Sequence, residues 1–386
     1  MKKMIILQPE MCVGGVERVL LTLLKNLDKE KFDITVMLLN KNVWDDQIPK
    51  EIKIKYMFNK NPREYNSLFK RIYKYSRMFV PGKIIQKIFL KDKYDIYISF
   101  HEPMIYFLRG AKGKKVSWIH ADYTIIDDIT EIKQLGKRMS FLSKTILKKR
   151  VEALKNCDKI ICVAETARKG FLNKFDIDEE KVVVRYNPND IERIKSLANN
   201  NQKIQEEIKY SKDVINFCAV GRLSHEKAFE RLISITLKLK NEGYLFHFNI
   251  IGDGPEYQKL EKAINDNNLN DYIHLIGYDA NPYKYMSKSD FVICSSKFEA
   301  YSTVVTESII LGIPVIATEC SGMAEIFGHT NAGLITKNNT EDLYYAIKKV
   351  LNDKKLRALM KLEAIERSKY FDTKRMVCEI ESLLLE

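Results

Sequence analysis

The stretch FVICSSKFEAYSTVVTESIILGIPVIAT, residues 291–318, decides the fold. Its first apolar run, FVIC, predicts a strand, and a polar loop carrying Glu299 follows. STVVTESIIL then predicts a helix with Ser302 or Thr303 near its N-cap and Gly312 just past its end. PVIAT predicts the next strand, so the segment reads as strand, helix, strand with parallel strands. Glu299 falls in the loop beyond the carboxyl end of the first strand, and Glu307 lies about one turn inside the helix.

The same alternation runs through most of the chain. Strands are expected at MIILQ, FDITVMLL, IKIKYMF, YDIYISF, KVSWIH, DKIICVA and VVVRYN, then at INFCAVG, FHFNIIG, IHLIGY, FVICSS and PVIAT. Between the first two, GVERVLLTLLKNL sets Val16, Val19, Leu20, Leu23, Leu24 and Leu27 on one helical stripe. The series breaks once, at Asn187-Pro188-Asn189-Asp190, where a turn signal leads into a polar, strand-poor stretch ending near Asp213. The chain of 386 residues is also too long for one ordinary core. The expected fold class is therefore α/β, with two Rossmann-like domains facing each other across a cleft. The first spans 1–188 and is rejoined by a C-terminal helix at 371–386, and the second spans 189–370. Ligands of such sheets bind beyond the carboxyl ends of the strands.

Composition narrows the function classes. Hydrophobic residues make up 45% of the chain and charged residues 30%, as in a folded globular protein. The longest uncharged apolar run, Ile309 to Ala317, is far short of the ~20 residues that span a bilayer. MKKMIILQPE reads as a first strand, its apolar segment being too short for a secretory signal. Seven scattered cysteines without a C-x-x-C pair suggest reduced, mostly buried thiols and a cytoplasmic setting, with no zinc or redox motif.

The net charge of +13 is unevenly spread. Residues 60–95 hold ten Lys/Arg against three acids, and 132–150 hold seven with none. Aromatic and aliphatic residues interleave with these cations, which suits an anionic membrane surface at about 1 kcal/mol per basic residue. A solvated helix face is the plainer alternative. Nucleic acid is not expected as a partner, because no zinc pattern, recognition motif or aromatic RNA-binding signature accompanies the charge.

The residues that can carry chemistry gather at strand ends. Gly14-Gly15 follows the first strand and opens the first helix, where backbone amides can approach a phosphate, although two glycines also make a plain tight turn. IIGDGPEYQKL has G-x-G after a strand but Tyr257 in place of a third glycine, and Pro255 looks like the first residue of a helix, so a dinucleotide reading is weak. Asp176-Ile177-Asp178 matches D-x-D only superficially and reads as a solvated turn. In AVGRLSHEKAFERLI, Arg222 and Lys227 follow a strand and enter a helix, where two cations can meet a diphosphate. A surface salt bridge is the structural alternative there. Carboxylates accept hydrogen bonds from hydroxyl pairs, so Glu299 and Glu307 can hold a ribose and a hexose at either end of that diphosphate.

With E-x7-E beside R-x4-K and an N-terminal GGVERVL, the chain resembles the family-4 retaining glycosyltransferases of the GT-B fold. The resemblance rests on GGVERVL (14–20), SWIHADY (117–123), VGRLSHEK (220–227), IIGDGPE (250–256) and FEAYSTVVTESIILGIPVIATECSGMAEI (298–326). In motif style it is most similar to bacterial enzymes that assemble capsule, exopolysaccharide or lipopolysaccharide.

The resemblance implies a donor diphosphate on Arg222 and Lys227, ribose on Glu307, and donor sugar on Glu299, Ala300 and the amides of Tyr301, Ser302 and Thr303. It places Gly14 and Gly15 near the phosphates, Gly277 and Tyr278 near the base, and His120 near the reacting carbon. It implies no cofactor and no metal, a donor that is a nucleotide sugar of the UDP type, and a glycan or lipid-linked glycan acceptor. Two departures stand out: the family usually has glycine where this chain has Ala228 and Ala300. Alanine disfavours positive φ, so the sugar loop is expected to sit differently. Other readings are a GT-B relative with different chemistry, such as an epimerase or a phosphorylase, and a non-catalytic nucleotide-sugar-binding partner of another transferase.

Overall fold

The computed structural model describes residues 1–12, 14–58, 80, 82–124, 140–199 and 214–386, with backbone alone at 140–146. The basic segments 60–95 and 132–150 therefore lie partly outside the described residues, at 60–79, 81 and 132–139. The chain forms two compact units, Met1–Pro188 with Thr373–Glu386, and Asn189–Asp372.

The first unit holds β1 (Lys2–Leu7), β2 (Phe32–Leu38), β3 (Lys53–Tyr56), β4 (Ile96–Ser99), β5 (Lys114–Ile119), β6 (Lys159–Cys162) and β7 (Val182–Val184). Among the described residues these make a parallel sheet in the order β3-β2-β1-β4-β5-β6-β7. The second unit holds β8 (Ile215–Val220), β9 (Phe246–Ile251), β10 (Ile273–Gly277), β11 (Phe291–Cys294), β12 (Val315–Thr318) and β13 (Gly333–Thr336). Its order is β10-β9-β8-β11-β12-β13, again parallel. Helices cover parallel sheets on both faces, so the strands must be apolar on both sides. Val292, Ile293, Val315, Ile316 and Ala317 are accordingly all buried. That is why FVIC and PVIAT read as unbroken apolar runs.

One strand is absent from the sequence reading. β13 is four residues long, pairs with β12 alone among the described residues and leaves Ile335 exposed. A short edge strand lacks the continuous apolar run that marks a central one. The helix after β9 also starts later than Pro255 suggests, at Tyr257.

The helix Thr373–Leu385 belongs to the first unit through long-range bonds. Glu381, buried, accepts from the Asp28 amide at 2.7 Å and pairs with Lys31 at 2.8 Å. Lys114 donates to the Leu383 carbonyl, neutralising the exposed end of the helix dipole.

Strand order reverses between β1 and β4 in the first unit and between β8 and β11 in the second. At such a switch the two connections leave in opposite directions and open a crevice at the carboxyl ends. In the second unit, the loops on either side of this crevice carry Arg222, Lys227 and Glu299.

The G-x-G at 252–254 has a packing role here. A Cβ on Gly252 would lie 1.8 Å from the Gly221 carbonyl oxygen, and one on Gly254 would lie 2.4 Å from that of Leu223. The Leu223 amide donates to Asp253 at 2.9 Å. These glycines let the loop after β9 press against the loop that carries Arg222.

Candidate functional site

In the second unit, Lys227 ends a short 3₁₀ turn after β8, and Glu299 follows β11. The Lys227 ammonium lies 2.6 Å from Glu299 Oε1. The Ser296 hydroxyl donates to the same oxygen at 2.7 Å. The two loops are also tied through backbone: the Lys297 amide donates to the Glu226 carbonyl at 2.7 Å, and the Ser295 hydroxyl to that of Lys227 at 2.8 Å. Burial alone would push Lys227 toward its neutral form, but the Glu299 carboxylate overrides it and holds the ammonium above its ordinary value. A cation is thus kept charged in a largely desolvated place.

Arg222 is placed differently. Its side chain is 71% exposed and pairs with Glu226 at 2.9 Å, in the i,i+4 arrangement of a surface ion pair. Such a pair contributes little to stability, so a better anion can take the guanidinium from it.

Ala228, directly after Lys227, adopts φ 53° and ψ 39° and is fully buried. The left-handed backbone that glycine would take without strain is retained here by an alanine, at a cost of order 1 kcal/mol. The expected effect at Ala300 does not arise from its backbone, because Ala300 is not among the described residues with positive φ. Its carbonyl sits against Gly322, where a Cβ would be 2.8 Å away.

The helix after Glu299 runs from Thr303 to Ile310 with Ser302 as N-cap. The Ser302 side chain makes no capping bond to the first amides of the helix. Tyr301 and Ser302 are buried and Thr303 is half-buried. Glu307 is buried at 3% exposure and accepts from the Tyr283 hydroxyl at 2.9 Å. Gly277 has φ +80° at the end of β10, and Tyr278 beside it is exposed.

Gly14, Gly15 and His120 belong to the first unit. Gly14 is the N-cap of the helix Gly15–Asn26, and Glu17 in its first turn accepts from Gln8 at 3.2 Å. His120 follows β5, stacked on Trp118 and packed on Phe100. Its Nε2 is buried with no partner among the described residues. Burial, helped by neighbouring His101, lowers its pKa to about 3, while a hydrogen bond with the Phe100 backbone works the other way. The ring is neutral at any ordinary pH.

That burial has a measurable consequence. Unfolded, His120 titrates near 6.5; folded, only near 3. Between these values the unfolded chain binds more protons, so stability falls as pH drops, by up to about 1.4 kcal/mol per pH unit. Burial depresses His101 too, which adds to the same trend. Urea unfolding at pH 7.5, 6.0 and 5.0 should show a shallower acid loss for His120→Phe than for wild type. Parallel curves would show that His120 is not held neutral.

Sequence reasoning missed Ser296 and Tyr283. Ser296 is three residues before Glu299, a spacing the sequence displays without explaining; Tyr283 is 24 residues from Glu307, and only the fold brings them together.

Residues 13–193 match the family described as Glycosyltransferase Family 4, and residues 200–367 match Glycosyl transferases group 1. The chain belongs to the family-4 glycosyltransferases. One family relative, from Campylobacter jejuni, is the N-acetylgalactosamine-N,N'-diacetylbacillosaminyl-diphospho-undecaprenol 4-alpha-N-acetylgalactosaminyltransferase. It is 29% identical over 364 residues, 93% of either chain. The GT-B fold of the family is shared with Anabaena HepE, solved with UDP and glucose, at TM-score 0.75 and 18% identity over the full length of both chains. It is shared also with WaaG, a glycosyltransferase of lipopolysaccharide biosynthesis, at TM-score 0.71 and 14% identity over 99% of each chain. No helix among the described residues is long and apolar enough to cross a membrane.

Proposed function

We propose that this family-4 transferase moves a hexose-type sugar from a nucleotide sugar to a glycan or lipid-linked glycan in cell-surface polysaccharide synthesis, with retention of anomeric configuration. The observation that carries the reading is the meeting of Lys227 and Glu299 at the β8/β11 switch, beside an uncapped helix N-terminus. A cation, a carboxylate and a helix N-terminus together suit a diphosphate joined to a sugar. UDP is the favoured nucleotide, since HepE was solved with it, and the Campylobacter relative's name, with its diphospho-undecaprenol, supports a lipid-linked acceptor.

In this reading, Lys227 leaves Glu299 for the diphosphate, and Arg222 leaves Glu226 for it as well. Glu299, with Ala300 and the amides of Tyr301, Ser302 and Thr303, takes the sugar. Glu307 takes the ribose, and Gly277 and Tyr278 the base. The second unit is thus the donor side. Of the first unit's residues, Gly14 and Gly15 keep the phosphate role and His120 the donor-sugar role that the resemblance implies, and this unit serves the acceptor. The acceptor hydroxyl attacks from the face the nucleotide leaves, and a donor phosphate oxygen receives its proton. The two cations and the helix N-terminus stabilise the leaving diphosphate. Neither glutamate serves as nucleophile or acid, and the role a divalent metal plays elsewhere falls to the two cations.

A thermal-shift panel of nucleotide sugars tests the donor class. A ligand at 100 times its dissociation constant stabilises by about 2.7 kcal/mol, so one nucleotide series should raise the melting temperature clearly. No shift with any of them would overturn the reading.

The same reading places the protein in the cytoplasm, on the inner face of the plasma membrane, held there by the basic segments 60–95 and 132–150. Their described part supports this: the helix Gly82–Ile88 buries Ile85 but exposes Ile84 and Ile88 beside Lys83 and Lys87. Co-sedimentation with liposomes should rise with anionic lipid and fall with salt. Equal binding to neutral vesicles, or none to anionic ones, would contradict it.

A further inference from the structure

The bond between Tyr283 and Glu307 joins two buried side chains, 1% and 3% exposed, at 2.9 Å. At that length the phenol makes an ordinary hydrogen bond to the carboxylate. The last torsion of a glutamate is broad, so an unheld carboxylate turns through many orientations. One bond to a fixed phenol limits that rotation.

Tyr283 is fixed by the segment that carries it. Asp279 Oδ2 accepts from the Tyr285 hydroxyl at 2.9 Å and pairs with Lys284 at 2.8 Å, while Oδ1 accepts from the Asn281 amide at 2.8 Å. The Asn281 side chain donates to the Leu197 carbonyl at 2.9 Å, which ties the turn to the helix Ile191–Ala198. Burial would raise the Asp279 carboxyl, but Lys284, Asn281 and Tyr285 hold it below its ordinary value. The segment opens at Gly277, with φ +80°, and at exposed Tyr278.

We propose that Tyr283 is a positioning residue that aims Glu307 at the ribose hydroxyls. This rests on the donor-site reading above, where Glu307 meets the ribose. It adds a residue that touches no substrate yet sets how well the enzyme tells a ribonucleotide from one without those hydroxyls.

The test is calorimetric titration of the full chain with the nucleoside diphosphate it binds best among UDP, GDP and ADP, and with the 2′,3′-dideoxy form of the same nucleotide. Wild type should favour the ribose form by about tenfold or more. Tyr283→Phe keeps the ring and loses the hydroxyl, and should bring the preference below about threefold while leaving affinity for the dideoxy form unchanged. A tyrosine that merely supports the fold would lower the melting temperature without moving that ratio. A full preference in Tyr283→Phe overturns the proposal. Glu307→Gln separates the two levels: if it removes the preference and Tyr283→Phe does not, the ribose contact stands and the positioning role falls. If Glu307→Gln keeps the preference, or wild type has none, the ribose contact itself falls. Should Tyr283→Phe fail to fold, Tyr283→Met makes the same comparison without a hydroxyl.

Discussion

Replacing Lys227 by methionine should abolish most donor binding and also destabilise the fold, and the two losses should separate in a double variant. The ammonium is expected to meet the diphosphate, and a hydrogen bond to a charged group contributes about 1.5 to 3 kcal/mol, so nucleoside diphosphate affinity should fall by ten- to more than a hundredfold. The second loss comes from Glu299. Its side chain is 12% exposed, and Lys227→Met would leave it with Ser296 as its remaining described partner. Removing one partner of a buried pair costs about 3 to 5 kcal/mol. Lys227 keeps 24% of its exposure, so the smaller figure is the better guide. Adding Glu299→Gln removes the stranded charge, and the double variant should recover most of that stability while still failing to bind nucleotide. Urea unfolding beside nucleotide titration reads both quantities. A double variant no more stable than Lys227→Met would show that the ion pair is not what holds this corner.

How far the sequence carries the account is seen residue by residue. FVIC and VIAT were legible as strands because a parallel sheet covered on both faces demands apolar residues at every position. GLIT at 333–336 was not, being a half-exposed edge. Positions of the candidate residues followed from strand ends: Lys227 after β8, Glu299 after β11, His120 after β5. Their partners did not follow. Lys227 and Glu299 are 72 residues apart, and their 2.6 Å contact depends on β8 and β11 being neighbours, which local pattern cannot say. Tyr283 and Glu307 meet for a similar reason. Alanine at 228 stands where the resemblance has glycine, and the chain takes the left-handed backbone there all the same. The G-x-G at 252–254 reads only weakly as a ligand loop, and its glycines admit a neighbouring backbone.

The remaining large effect concerns the two glutamates that the sequence set eight positions apart. The fold gives them different settings: Glu299 lies in a loop at the switch with Lys227 and Ser296, and Glu307 lies inside the helix, bonded to Tyr283. If Glu307 binds ribose, Glu307→Gln should weaken the nucleoside diphosphate and the intact nucleotide sugar alike. If Glu299 binds the transferred sugar, Glu299→Gln should spare the nucleoside diphosphate while weakening the intact donor and lowering turnover. Each affected constant should move by about ten- to more than a hundredfold. Acids that only brace the helix would give a different result, with lower melting temperatures and normal binding once folded. The decisive measurement is calorimetric titration of wild type and both variants with nucleoside diphosphate and with the intact donor. The account predicts losses for both ligands in Glu307→Gln and for the donor alone in Glu299→Gln; unchanged donor affinity in both variants would contradict it.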